Sequence, residues 1–149
     1  MKKTLFLLIL TVIIFGGCEK DDFCIEETTP NLILRFYDFE NQNTVLQVSE
    51  LTIWPEGRDT IVLNQTLDSV AIPLNVHTAQ TIYNLSRGTT VDKLIIDYTV
   101  NEIYVSRSCG YKAEFSELSA TTTNNWIQSI NPSTTTIEDE TSAHIQVFH

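Results

Sequence analysis

Apolar and polar residues alternate with period two along most of this chain, and nothing else in the sequence restricts its fold as strongly. A strand points successive side chains to opposite faces, so such a pattern builds sheets with one face buried. Val70, Ile72, Leu74 and Val76 alternate with Ser69, Ala71, Pro73 and Asn75. Leu94, Ile96, Tyr98 and Val100 alternate with Ile95, Asp97, Thr99 and Asn101, and Tyr111, Ala113 and Phe115 with Lys112, Glu114 and Ser116. Shorter runs lie at 32–39, 45–48, 51–54, 61–63, 81–85, 103–106, 126–130 and 145–148, rich in the β-branched and aromatic residues that strands favour. No segment beyond the N-terminus carries helical periodicity.

Turn chemistry separates the runs. Pro55-Glu56-Gly57, Ser86-Arg87-Gly88, Asn101-Glu102 and Asn131-Pro132-Ser133 read as turns. The phase breaks at Ser49-Glu50, where Leu46 and Val48 give way to Leu51 and Ile53, and this predicts a bulge. Pro73 cannot donate to a ladder, so its strand belongs at a sheet edge. Many short strands at fairly even spacing predict an all-β fold, an antiparallel β-sandwich of Ig-like or transthyretin-like kind, with a small β-barrel as the second choice.

The N-terminus is of another kind. Lys2 and Lys3 precede an apolar stretch that ends at Gly17, 13 residues from Leu5. A membrane-spanning helix needs roughly 20, so a cleaved signal helix is the expectation. Gly16-Gly17-Cys18 resembles the lipobox of bacterial lipoproteins, with Phe15 where leucine is usual. The resemblance implies cleavage before Cys18, acylation of that cysteine and a lipid anchor such as palmitate in the membrane. Lys20-Asp21-Asp22 resembles the lipoprotein export signal of Bacteroidota, which implies the outer leaflet of the outer membrane; a periplasm-facing lipoprotein is the alternative. The chain thus divides into a signal peptide (1–17), a lipidated tether with the export tag (18–30) and a β-sandwich domain (31–149).

Removing residues 1–17 leaves 132 residues, enough for one cored domain. Seven Lys and Arg then face 19 Asp and Glu, a side-chain charge of −12. That balance disfavours nucleic acid, whose phosphates must be neutralised, and electrostatic docking on anionic lipid. Two cysteines remain beside Cys18. In an exported chain Cys24 and Cys109 are expected to form a disulfide. Cys109 as a nucleophile beside Arg107 is the competing reading, with no histidine near it in sequence. Cys18 and Cys24 are six residues apart, a reach of at most about 20 Å, so a bonded Cys24 keeps the domain near the bilayer.

Signatures of chemistry are scarce. No Gly-x-Ser-x-Gly, P-loop, dinucleotide or zinc pattern occurs, so neither cofactor nor metal is expected. His77, His144 and His149 are expected at the surface or the terminus. Glu138-Asp139-Glu140 lacks the spaced oxygens and glycine of a calcium loop and reads as a solvated turn. Tyr37 and Tyr104 lie opposite the most apolar residues of their runs and are candidates for stacking on a ligand such as a sugar. Asp59-Thr60-Ile61 and Asp68-Ser69-Val70 resemble the O-glycosylation sequon of Bacteroidota, with Thr60 and Ser69 as acceptors.

Finally, Cys18 to Cys24, Thr29-Pro30-Asn31-Leu32 before Arg35-Phe36-Tyr37, Ile72-Pro73-Leu74-Asn75 and Tyr104 to Tyr111 resemble a family of Bacteroidota lipoproteins known only as a domain of unknown function. The resemblance also implies the Cys24–Cys109 pairing, and no activity. The expected role is a non-catalytic outer-membrane lipoprotein, a binding or structural accessory to an outer-membrane protein. A glycan-binding or glycan-processing module of an uptake system is the alternative.

Overall fold

The computed structural model describes Cys24 and residues 28–149. The signal peptide, Cys18 and the tag residues Lys20, Asp21 and Asp22 lie outside the described residues. The described residues form nine strands: β1 (Leu32–Tyr37), β2 (Val48–Pro55), β3 (Val62–Leu67), β4 (Ser69–Ile72), β5 (Gln80–Arg87), β6 (Thr90–Ser106), β7 (Gly110–Thr122), β8 (Ser129–Pro132) and β9 (Ile145–Phe148). They make two sheets, ordered β4-β1-β9-β8 and β3-β2-β5-β6-β7, which face each other as a sandwich and do not close into a barrel.

Most of the alternating runs bury their apolar side, although Val76 and Tyr111 are exposed. Leu32, Leu34 and Phe36 of β1 and Ile145 and Val147 of β9 meet Leu51, Ile53, Leu85, Leu94 and Ile96 of the other sheet, all with no exposed surface. Burial of this kind contributes about 25 cal/mol for each Å² of apolar surface removed from water. Pro73 directly follows β4, which is an edge strand.

The larger sheet is antiparallel throughout. The smaller is mixed, because β1 and β9 run parallel, Leu34 opposite Ile145 and Phe36 opposite Val147. Parallel neighbours need a crossover, and here almost the whole domain supplies it.

Several turn or strand assignments are corrected: Leu74 to Val76 lie in the loop after β4, and Ser86 and Arg87 end β5, with the turn at Gly88 and Thr89. Asn101-Glu102 is no turn: it lies inside β6, a single 17-residue strand, and pairs with Glu114 and Ala113. The hairpin turns later, at Arg107-Ser108-Cys109. Asn131 and Pro132 end β8 rather than turn; β8 is an edge strand, where proline is tolerated. Trp126 and Ile127 form a buried loop before β8 instead of a strand, held by a carboxylate described below.

The bulge at Ser49-Glu50 is present. The β2–β3 register shifts between Val48 and Leu51, and Glu50 has φ 55°. Two further bulges repeat the device. Asn64 (φ 49°) lies at the second shift of that pair, and Glu117 (φ 55°) where β7 gains a residue opposite Asp97 to Thr99. Each bulge places a non-glycine residue in the left-handed region and adds twist to its strand.

Candidate functional site

The site is built where β6 and β7 outrun their neighbours. β5 begins at Gln80, opposite Asp97. Beyond that point, among the described residues, β6 pairs only with β7, as far as Ser106 opposite Gly110. The two strands leave the sandwich as a ribbon whose residues 101–104 are exposed. Cys109, in its turn, is bonded to Cys24, with Cα atoms 4.8 Å apart. Ser106 Oγ accepts from Cys109 N at 3.1 Å, and Thr29 Oγ1 accepts from Ala113 N at 2.9 Å, so the start of the domain is fastened along the ribbon.

Beside the ribbon's base, at the same end of the molecule, lies an open groove of about 690 Å³. Its walls are the β2–β3 turn (Glu56, Arg58, Asp59), the loop after β4 (Leu74 to His77) and the first residues of β5. A smaller hollow of about 170 Å³ continues from Val76 and His77 to Glu102 and Tyr111 on the ribbon. Groove, hollow and disulfide therefore share one end.

Side-chain hydroxyls hold the groove's shape. Tyr83 Oη donates to Pro73 O. Tyr98 Oη donates to Asn75 O at 2.9 Å and contacts Thr81 Oγ1, which accepts from Asn75 N at 3.0 Å. Asn75 Oδ1 in turn accepts from His77 N at 3.0 Å. The loop lacks a strand partner, and these bonds satisfy its backbone instead. Burial, then the neighbouring Tyr98, pushes the Tyr83 phenol up to about 12, against a smaller opposing pull from Arg58. Tyr83 thus stays a neutral donor at physiological pH. Glu56 is ion-paired with Lys93 at 2.7 Å.

The two candidate aromatics are not brought together. Tyr104 lies on the ribbon, 56% exposed, edge-to-face with Tyr111 at 5.4 Å. Tyr37 is at the opposite end, half-buried against Phe148 at 5.7 Å. Its carbonyl accepts from His149 N, and the His149 ring lies 3.5 Å from Arg87, the residue before the far hairpin turn. Thr60 and Ser69 are both exposed, Thr60 in the loop that walls the groove and Ser69 donating to Asp68 Oδ1 at 3.1 Å.

His144 departs from its expected surface place. It is buried, its Nδ1 accepts from Ile33 N at 2.9 Å, and burial holds its imidazole below the usual range. His149 is half-buried against Phe36 and Trp126. The acidic turn is solvated but organised: Glu140 Oε1 accepts from Asn31 N and Nδ2, and Asp139 Oδ1 from Thr141. Among the described residues, no three His, Cys, Asp or Glu side chains are grouped to hold a metal ion.

Sequence reasoning missed Asp92, a carboxylate with no exposed surface. Its Oδ1 accepts from Thr123 Oγ1 and Asn125 N at 2.6 Å, its Oδ2 from Trp126 N and Ile127 N at 2.8 Å. Burial pushes its pKa up, but the bonds from Ile127, Thr123, Asn125 and Trp126 outweigh that and hold it below the usual carboxylate range. Its work is structural, since it pins the loop that seats Trp126, whose indole donates to Leu85 O at 3.0 Å. The only signal was an aspartate at a core-facing position of an alternating run.

Residues 50–149, about two thirds of the chain, match a family of unknown function (DUF6452). No curated protein and no solved structure matches the chain.

Proposed function

We propose that this chain, which belongs to the family of unknown function DUF6452, acts as a non-catalytic accessory lipoprotein of the outer membrane. In this reading acylated Cys18 anchors it, and the groove end of the sandwich is presented to an outer-membrane protein partner. The observation that carries the reading is the Cys24–Cys109 bond at the ribbon's tip. Six residues separate Cys24 from Cys18, about 20 Å at full extension, so the end that bears groove and hollow is the end beside the anchor.

A binding role fits the groove better than a reaction does. Its phenol is committed to Pro73 O and stays protonated, and Glu56 is committed to Lys93. The Lys20-Asp21-Asp22 tag favours the cell-surface leaflet, and Thr60 and Ser69, both exposed, are the proposed O-glycosylation acceptors. The glycan-handling alternative now draws on Tyr104 alone, because Tyr37 is packed against Phe148 at the other end.

Pull-down of the lipidated protein from solubilised outer membrane tests the reading. An outer-membrane protein should be recovered with the native chain and lost when Arg58 and His77 are both changed to Ala. Glycan-array binding that disappears in Tyr104→Ala, with no protein recovered, would replace it with the alternative. Protease shaving of intact cells distinguishes the leaflets: digestion supports surface exposure, and full protection supports the periplasmic side.

A further inference from the structure

The core-facing stripe of the larger sheet continues past the end of the sandwich. Along β6 it runs through Leu94, Ile96 and Tyr98, all buried, then Val100, Glu102 and Tyr104. The register sets Val100 opposite Phe115, Glu102 opposite Ala113 and Tyr104 opposite Tyr111. Tyr104 and Tyr111 thus occupy core-face positions with no opposing strand among the described residues, 56% and 68% exposed. Ile103, on the other face, is 38% exposed. The ribbon runs on for six residues past Val100, about 20 Å.

We infer that this ribbon tip is a lipid-contact site, with Tyr104 and Tyr111 seated at the headgroup level of the bilayer. The inference rests on the anchored reading above and adds a second point of membrane contact to it. Three observations select a lipid surface as the occupant. The first is position: Cys109 joins the tip to Cys24, and six residues earlier the chain reaches Cys18, the acylated residue of the anchored reading. The second is chemistry: tyrosine has an apolar ring and a polar hydroxyl, the combination that settles at membrane–water interfaces. Arg107, exposed in the turn, offers an aliphatic stem and a guanidinium for phosphate. The third is charge. Residues 101–114 hold Glu102 and Glu114 against Arg107 and Lys112, a net of zero in an otherwise acidic domain. The ribbon itself is therefore not repelled by a zwitterionic phosphatidylcholine surface.

The test uses the lipidated chain reconstituted in phosphatidylcholine vesicles, plain or brominated near the headgroup end of the acyl chains. Tyr104→Trp places a reporter on the tip, and Phe39→Trp places one at the opposite end, where Phe39 N donates to His149 O. Vesicle flotation is measured on the same samples. Brominated lipid should remove roughly half of the emission added by Tyr104→Trp and leave that of Phe39→Trp unchanged. Protein that floats with the vesicles, yet shows equal Tyr104→Trp emission in both lipids, overturns the contact and leaves the anchor standing. Protein that does not float overturns both.

Discussion

Ile33 and His144 hold each other through two hydrogen bonds. Ile33 N donates to His144 Nδ1 at 2.9 Å, and His144 N donates to Ile33 O at 2.9 Å. The ring must be neutral at Nδ1 to accept. Burial lowers the pKa of His144 and, at the C-terminus, of His149. The unfolded chain therefore binds protons first as pH falls. Stability should be full above the unfolded histidine value of about 6.5 and decline as pH drops below it towards the lower folded values. Urea midpoints between pH 8 and pH 5 check this. His144→Gln, which keeps a neutral acceptor, should flatten part of the decline, and His149 should account for what remains.

Asp92 is the most consequential polar residue of the core. Asp92→Ala removes the acceptor for three backbone N–H groups and one hydroxyl, leaving buried donors unpaired. The expected loss is about 3 kcal/mol, read as a fall in Tm of roughly 10 °C or more. Its depressed pKa has the opposite range to the histidines. The carboxylate's contribution is present above the unfolded aspartate value of about 3.9 and is lost as pH falls through the lower folded value.

Tyr83 predicts behaviour in alkali. Its folded pKa is raised to about 12, so the folded state keeps a proton that the unfolded state gives up near 10. The stabilisation is complete below about pH 10 and disappears as pH climbs through about 12. Absorbance titration should show one tyrosine ionising late, together with unfolding. Tyr83→Phe should abolish that late step and cost about 1 kcal/mol through the lost bond to Pro73 O.

The alternating runs made most of the sandwich legible, because period two is imposed by the strand itself. The strand through Leu94, Ile96 and Tyr98, all three buried, was readable from spacing alone, and the Glu50 bulge from a broken phase. What stayed hidden depended on partners distant in sequence. Asn101-Glu102 has turn composition, yet pairing with Glu114 and Ala113 keeps it extended. The parallel β1–β9 contact joins Leu34 to Ile145, which no local pattern encodes. Of the candidate site, the pairing of Cys24 with Cys109 was expected from the cysteine count and the signal-like N-terminus, and the fold contains that bond. The groove and the Tyr104–Tyr111 pair required the fold.

The disulfide closes a separation of 85 residues and should stabilise the domain by at most about 4–5 kcal/mol in the chain-entropy view. Cys24→Ser and Cys109→Ser should lower the urea midpoint by similar amounts, and the double variant by no more than either alone, since all three break one bond.

A sandwich leashed by its ribbon tip a few residues from a lipid anchor is the central proposal. Intact mass of the protein extracted from membranes, before and after reduction, tests that directly. The predicted result is a chain of residues 18–149 carrying acyl groups on Cys18, with two hydrogen atoms gained from the reductant as Cys24 and Cys109 separate into thiols. An unacylated chain, or one with both thiols free before reduction, would contradict it.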